Sequence, residues 1–411
     1  MARPTSPEPP AAPRPAPGIG LGRLVLPVYL PVIAGTIGVA VLVPVLPLYL
    51  KDSGLSLRTT SVVLAAVGLG AAVGSLPAGS LLARFGERRV LFVSLGALAA
   101  STALLGFTTA VVALVALRMA AGASNVALRL SRQTYIARRV LGEHRGRSMA
   151  MIGGSFRFSL LVGPLLGGWL VDTSGFATTF VVAGGFAALG VIPPLISGPR
   201  HLAPRTDVVA VPQFGVVDAM RTHWRLLLVA GVVPLLVMTA REGRFVVLPL
   251  ISDDLGLSPT AVGAVIAVGT GADLLLFPVA GFVMDRFGRL AAMVPAFGTI
   301  AVGLLMLAAA GSTTSVVVAG AVIGIGNGLS SGTMLTLGSD LAPADATGPF
   351  LAGLAAMQDA GRVTGPLLVG VIGAGAGLGV ASVALAAVLV GAVLWLVLVI
   401  GETGGVPAPA R

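Results

Sequence analysis

The chain repeats itself at a constant offset of 202 residues. Gly281–Arg289 (GFVMDRFGR) has a diverged copy at Gly79–Glu87 (GSLLARFGE), and the same offset places many further residues on identical partners without a gap. Such a period is far longer than the roughly 20 to 50 residues of solenoid repeats. The two halves are therefore predicted to share one fold. The matched pairs are Pro47 and Pro249, Asp52 and Asp254, Gly54 and Gly256, Ser56 and Ser258, Gly122 and Gly324, Asn125 and Asn327, Gly146 and Gly348, Gly163 and Gly365, and Pro164 and Pro366.

Each half contains six apolar runs. With 56% hydrophobic and 10% charged residues, the chain cannot present a water-facing surface. Runs of about 20 apolar residues cross the bilayer as helices, and continuous rather than alternating hydrophobicity argues against a barrel. The sequence predicts an all-α membrane protein of 12 transmembrane helices in two pseudo-symmetric six-helix bundles, an arrangement typical of secondary transporters. Spans 1 to 12 are predicted at 24–49, 60–83, 90–109, 111–128, 149–171, 175–197, 226–250, 260–284, 290–310, 314–337, 349–373 and 378–400.

The basic residues predict the orientation. Of the 26 Lys and Arg, only Lys51 and Arg58 fall in loops on one side, five lie in predicted spans, and the remaining 19 lie on the opposite side. The positive-inside rule makes that side the cytoplasm, so both termini are expected to be cytoplasmic. A single Lys among these residues is typical of a GC-rich bacterial gene. We therefore expect a multi-pass protein of the bacterial inner (plasma) membrane.

The domain boundaries follow from composition. The Pro- and Ala-rich start has no apolar signal-peptide core, and the segment between the halves holds Pro199, Pro204 and Pro212. The predicted division is a disordered cytoplasmic tail at 1–22, bundles at 23–197 and 226–401, a cytoplasmic linker at 198–225, and a second tail at 402–411.

Several functional classes are excluded. The chain has no Cys and three His, which leaves little for a metal site, and we expect no metal and no cofactor. The net charge of +10 serves topology rather than nucleic-acid binding. Paired His, HExxH, a Ser nucleophile motif and DDxxD-like carboxylates are absent, which argues against a membrane enzyme. No filter sequence or repeated ring of charge indicates a channel.

Three short patterns carry a family resemblance. The segment between spans 8 and 9 resembles the signature that the major facilitator superfamily has between helices 2 and 3: Gly281, Asp285, Arg286, Gly288 and Arg289. Arg118 with Gly122 is similar to the family's helix-4 motif. A run in span 5 resembles the motif associated with proton-coupled drug antiporters: Gly163, Pro164, Gly167 and Gly168. The resemblance implies the major facilitator fold, a monomer, and a gate at these glycines and proline, although plain packing explains them as well.

The first-half copy of the loop signature departs from the family pattern, because Ala83 and Glu87 replace its acidic and basic residues. As a hypothesis, a cytoplasmic gate could instead pair Arg84, Arg88 and Arg89 with Asp340 and Asp345. A second gate contact could pair Asp285 with Arg145, Arg147 and the positive N-terminus of span 5. The alternative is that these are solvated charges that only set topology.

Charged residues inside the spans point to a cavity. Burial of an Arg or Asp at a helix centre costs about 2.5 to 3.5 kcal/mol on insertion scales, so such residues need partners or water. Asp359 and Arg362 share a face of span 11, and Arg241 and Arg244 share a face of span 7. A purely structural charge network is the alternative. The full set is Arg118, Arg157, Arg241, Glu242, Arg244, Asp273, Asp359 and Arg362.

The three acids are candidate proton carriers, because loss of water favours a neutral carboxyl whereas a nearby Arg favours its charged form. Asp273, Asp359 and Glu242 are therefore assigned to proton coupling, with Arg118 implied by the resemblance. The substrate cavity is predicted to include Arg157, Arg241, Arg244, Arg362, Asn125, Asn327 and Tyr29, with Ser330 and Ser331 as further polar groups. Five arginines against three acids favour an anionic or acidic substrate.

The sequence therefore predicts a transporter that exports small amphipathic compounds, drug-like or metabolite, by proton antiport and alternating access. Its partners would be the substrate, protons and the lipid bilayer. The main alternative is a proton-coupled importer of organic anions or sugars, since a fold does not fix direction.

Overall fold

The computed structural model describes residues 29–139, 142–192 and 222–403, without the side chains of residues 31 and 135–150. Most of both predicted tails and of the linker therefore lies outside the described residues. Within those limits the chain is helical and contains no strand. The elements of the first half are α1 (Leu30–Asp52), α2 (Leu57–Leu104), α3 (Val111–Arg139) and α4 (Gly142–Leu189).

The second half is divided into more elements. It comprises α5 (Trp224–Asp254), α6 (Pro259–Phe287), α7 (Arg289–Ala308), α8 (Thr313–Leu329), α9 (Thr333–Leu341), α10 (Thr347–Ala376) and α11 (Leu378–Trp395), and the π-helical turn Leu396–Ile400 follows.

Glycines at equivalent positions interrupt the helices of both halves. Gly86 breaks α2 with φ of 77°, and Gly175 breaks α4 with φ of 78°. Their partners at the 202-residue offset, Gly288 and Gly377, have φ of 92° and 91° and separate α6 from α7 and α10 from α11. Such positive φ angles favour Gly, which has no Cβ. Thus α2 and α4 contain two spans each, and the repeat extends to the backbone conformation.

The prediction of twelve spans is confirmed. Among the described residues, nine helices are long and apolar enough to cross a membrane. Two of them are the broken helices α2 and α4, and α10 adds a 30-residue helix whose charged residues lower its hydropathy. Leu76, Leu275 and Leu398 are 77% to 83% exposed, as lipid-facing side chains would be.

Two predicted boundaries were wrong. Span 4 was expected to end at residue 128, but α3 continues to Arg139. Span 10 was expected to be one helix, whereas α8 ends at Leu329 and α9 begins at Thr333, after Gly332 with φ of 79°. The break falls at Ser330, Ser331 and Gly332, and such small and polar residues are typical of a turn.

Close helix crossings hold each bundle together. A Cβ added to Gly122 would lie 2.0 Å from the Val67 carbonyl oxygen, and one added to Gly324 would lie 1.9 Å from that of Gly269. These two contacts are related by the same 202-residue offset. Small residues of this kind allow membrane helices to approach closely.

The described residues of α4 and α6 contact each other closely at the Lys51 end. Near Lys51, Thr260 N donates to Asp172 Oδ2 at 2.9 Å, and a Cβ on Gly168 would lie 2.1 Å from the Pro259 oxygen. Toward the opposite end, added Cβ atoms on Gly154 and Gly281 would meet nothing within 4 Å. The α4–α6 seam is thus closed at the Lys51 end and open at the other.

Candidate functional site

Asp273 lies buried near the middle of α6 and is held by its neighbours in the same bundle. Asn327 Nδ2 of α8 donates to Asp273 Oδ2 at 2.7 Å. The two helices come this close because Gly328 has no side chain. A Cβ at this position would lie 2.6 Å from the Asp273 carbonyl oxygen. Asp273 therefore has one hydrogen-bond donor from its own bundle.

Arg157 reaches the same carboxylate from the other bundle. Its Nε lies 3.5 Å from Asp273 Oδ1, and its Nη2 donates to Ser331 Oγ at 2.6 Å. The guanidinium carbon also lies 4.4 Å from the Phe277 ring centroid, a favourable cation–π distance. One ion pair therefore connects α4 with α6 across the interface between the bundles.

A second charge cluster lies on α5 and α10. Arg362 forms an ion pair with Asp359 and lies 3.8 Å from Glu242 Oε1. Arg118, from the first bundle, interacts electrostatically with Glu242, while its own Nε is buried without a hydrogen-bond partner. This cluster, like the first, contains charges from both bundles.

Arg241 and Arg244 have fewer partners. Arg241 Nη2 donates to Ser330 Oγ at 2.5 Å, and Arg244 lies 4.7 Å from the Phe245 ring centroid. The Nε atoms of both are buried and unpaired, and neither has a carboxylate within 4.0 Å among the described residues. Both still interact electrostatically with Asp273 and Glu242 from beyond ion-pair distance.

A cavity of about 40 Å³ opens between α4, α5, α6 and α8. Its polar wall consists of Arg244, Thr270, Asp273 and Asn327, and Leu160 of α4 closes it from the first bundle. Since a water needs about 10 to 15 Å³ on this measure, the cavity has room for roughly three waters or one carboxyl group. A drug-sized compound would need the gap between the bundles as well.

Two predicted cavity residues stay apart from these clusters. Asn125 is half-buried and makes no hydrogen bond with the described residues, and the Tyr29 hydroxyl is buried without a partner. Thr36 of α1 instead bonds Ser159 of α4 at 2.7 Å.

The glycine-rich segment of α4 packs on two sides. Cβ atoms on Gly163 and Gly167 would collide with α1 at Ala40 and Val41. Gly168 and the Pro164 carbonyl face α6, where a Cβ on Gly263 would lie 2.2 Å from that oxygen. The segment thus belongs to the contact between the bundles.

In this conformation, the described contacts of Asp340, Asp345 and Asp285 are with residues other than the predicted gate partners. Asp340 accepts from Arg289 Nε at 2.9 Å, and Asp345 lies 3.6 Å from His223 Nε2. Asp285 is exposed and lies 3.9 Å from Arg289 Nη1, while the side chains of Arg145 and Arg147 are outside the described set. Three further arginines face aromatic rings: Arg84 over Phe85, Arg88 over Phe92, and Arg286 over Phe287.

Sequence reasoning missed two features. Asp253 and Asp254 fall just after the predicted span 7 and have no role in the predicted site, but both pair with Lys51. The signal was available, because Asp253 is the 202-offset equivalent of Lys51. Arg129 and Arg132 were assigned to a loop, yet both lie on α3, and Arg129 interacts electrostatically with Asp359 and Arg362.

Two repeated helical bundles with charges buried at their interface define a secondary transporter. The family model of the Major Facilitator Superfamily matches residues 30–240 and again 231–410. The chain belongs to this superfamily.

Curated relatives match only in part. Two uncharacterized MFS-type transporters of Mycobacterium tuberculosis, from strains CDC 1551 and H37Rv, are each 25% identical over 199 residues. That alignment covers 47% of this chain and 29% of the length of each relative.

Solved structures share the fold over most of the chain. A bacterial homolog of the human lysosomal transporter Spinster, inward-facing and unoccupied, has a TM-score of 0.70 at 14% identity and covers 92% of this chain and 96% of its own. The nucleoside transporter NupG has a TM-score of 0.72 at 12% identity, and the match covers 90% of this chain and 98% of NupG. The human organic anion transporter MFSD10 has a TM-score of 0.66 at 16% identity, and the match covers 92% of this chain and 100% of MFSD10.

Proposed function

We propose that the protein exports small amphipathic compounds by proton antiport, as a monomer in the bacterial inner membrane with both termini in the cytoplasm. With this orientation, the closed Lys51 end faces outward and the open end faces the cytoplasm. The observation that carries the proposal is the buried ion pair of Arg157 and Asp273, which joins the two bundles at mid-membrane depth.

Protonation of Asp273 is the coupling step of this proposal. A neutral carboxyl attracts a guanidinium far less than a carboxylate does, so a proton weakens the link between α4 and α6. A substrate arriving from the cytoplasm displaces the proton, and the bundles then rock about the midplane to expose the site on the other side. The antiporter-like segment at Gly163 to Gly168 lies in the same seam and supports export.

The cluster of Glu242, Asp359 and Arg362 is the second candidate for a proton. Arg118 belongs to the other bundle and interacts with Glu242, so a proton on Glu242 would also change an attraction between bundles. We assign this cluster a supporting role, because Asp359 and Glu242 share Arg362 within one bundle.

Proton movement in everted membrane vesicles tests the proposal. Vesicles energised by respiration would receive cationic, neutral and anionic amphipathic compounds, with wild type beside Asp273→Asn and Asp359→Asn. We expect a substrate-dependent collapse of the pH gradient that is abolished in Asp273→Asn. Asp52→Asn is the matched control, since Asp52 is exposed. Full collapse in Asp273→Asn would contradict the assignment.

Import of organic anions with protons is the second candidate function. The surplus charge of Arg241 and Arg244 favours it, because an anion bound near Asp273 promotes protonation of that carboxyl, so anion and proton bind together. The two functions predict opposite directions of substrate movement under one pH gradient. With acid outside right-side-out vesicles, the importer would drive organic anions into the vesicles, whereas the exporter would expel its amphipathic substrate.

A further inference from the structure

The inference starts from how the buried charges pair. Arg157 has Asp273, and Arg362 has Asp359 and Glu242. Arg118 interacts with Glu242, which lies in the same cluster. Arg241 and Arg244 also interact electrostatically with Asp273 and Glu242, but neither has a carboxylate at ion-pair distance in the described part of the chain.

These two arginines form a local positive site rather than two separate charges. They are three residues apart on α5, hence on neighbouring positions of one face, and their charges act on each other. Their Nε–H groups are buried and unpaired. Unpaired donors of this kind are costly at membrane depth, so an anion that accepts from them would be bound strongly.

We propose that Arg241 and Arg244, with Ser330, form a subsite for the carboxylate group of an amphipathic substrate. The inference rests on the proposed transport function, in particular its second candidate. The cavity beside Arg244 has the size of one carboxyl group, and its apolar wall includes Phe245, Val265 and Ile323. The apolar body of the substrate would extend into the gap between the bundles.

The repeat supports a role in recognition rather than in the scaffold. The first-half equivalents of Arg241 and Arg244 are Val39 and Leu42, so the same position in the fold is built from apolar residues on the other side. The fold therefore needs no arginine at this position. A subsite on one bundle alone suits a substrate with a single acidic end.

Equilibrium binding to the full chain in phosphatidylcholine nanodiscs tests this. The probes are 1-naphthoate, the neutral 1-naphthalenemethanol and the cationic 1-naphthylmethylamine, which differ mainly in charge. We expect naphthoate to bind wild type about 10-fold or more tighter than the alcohol, as charge-assisted bonds allow. Arg244→Gln and Arg241→Gln should remove this preference, measured as the ratio of naphthoate to alcohol affinity. Arg244→Lys should retain part of it.

Arg225→Gln is the matched control, because Arg225 is exposed on the same helix. Equal affinity of wild type for naphthoate and the alcohol, or no naphthoate binding at millimolar concentration, overturns the inference whatever the variants do. Unchanged naphthoate affinity in both Gln variants overturns it too. The binding assay needs no proton gradient. Naphthoate binding can therefore fail while vesicle transport succeeds, and vesicle transport can fail while naphthoate binding succeeds.

Discussion

At the scale of single residues, the Arg157–Asp273 pair is stable because each partner has several contacts. Asp273 accepts from Asn327 and Arg157, and Arg157 also reaches Ser331 and Phe277. Buried ion pairs are favourable only when the remaining donors and acceptors are satisfied in this way. Removal of one partner should therefore cost more than removal of both.

A double-mutant cycle measures this coupling. We expect Arg157→Gln to lower thermal stability in detergent, because it leaves the Asp273 carboxylate buried without its ion-pair partner. Adding Asp273→Asn should recover part of the loss, with a coupling energy of about 1 to 2 kcal/mol. Asp52→Asn combined with Arg157→Gln is the control, and its two effects should add. A loss in the double variant equal to the sum of the losses in Arg157→Gln and Asp273→Asn alone would show that the two side chains act independently.

The sequence named the charged residues of the site but not their pairs. Asp273, Arg157, Asn327 and Ser331 could be placed near mid-membrane from their positions in apolar runs. Which of them touch depends on the rotation of α4 against α6, and that rotation is set by packing at Gly168 and Gly263. Hydropathy contains no information about such packing.

At the scale of helices, crossings at paired glycines fix the distances that the site needs. Gly324 and Gly328 lie on one face of α8, four residues apart, and let α6 approach until Asp273 meets Asn327. The repeat already pairs Gly122 with Gly324, and a residue with a side chain at either position would push the crossing helices apart. The repeat gives no such signal for the break between α8 and α9.

Alanine at two glycines should have opposite effects. Gly324→Ala would place a Cβ 1.9 Å from a backbone oxygen, so α6 and α8 must separate. We expect a loss of about 1 to 3 kcal/mol, as for other overpacked cores. Gly298→Ala on α7 meets nothing within 4 Å and should stabilise its helix by up to about 1 kcal/mol. Thermal unfolding in detergent compares them, and a stable Gly324→Ala would contradict the close crossing.

At the scale of the whole molecule, the predicted gate stays a prediction for a conformation that is closed at the other end. Pairs between Arg84 or Arg88 and Asp340 require the bundles to meet at the end that is open here, so their absence does not decide whether they form. The closed end has its own contact. Lys51 pairs with Asp253, its equivalent in the repeat, and a residue meets its own equivalent only near the axis that relates the halves.

Charge reversal of Lys51 should therefore shift the balance between conformations. Lys51→Glu replaces attraction to Asp253 and Asp254 with repulsion at the axis. Exposed ion pairs contribute about 0.2 to 1 kcal/mol each, so we expect the population open at this end to rise about 3- to 10-fold. Arg58→Glu is the matched control, because Arg58 is exposed at the same end and forms no ion pair with the described residues.

Distances between spin labels on the two bundles report this shift. Because the chain has no native Cys, labels can be placed on single introduced cysteines without further changes. Thr173→Cys with Thr313→Cys reports the Lys51 end, and Ala83→Cys with Phe287→Cys the opposite end, all at exposed positions. Rocking requires the first distance to lengthen and the second to shorten together. If Lys51→Glu changed only the first, the end would fray locally and the pair would not be part of a gate.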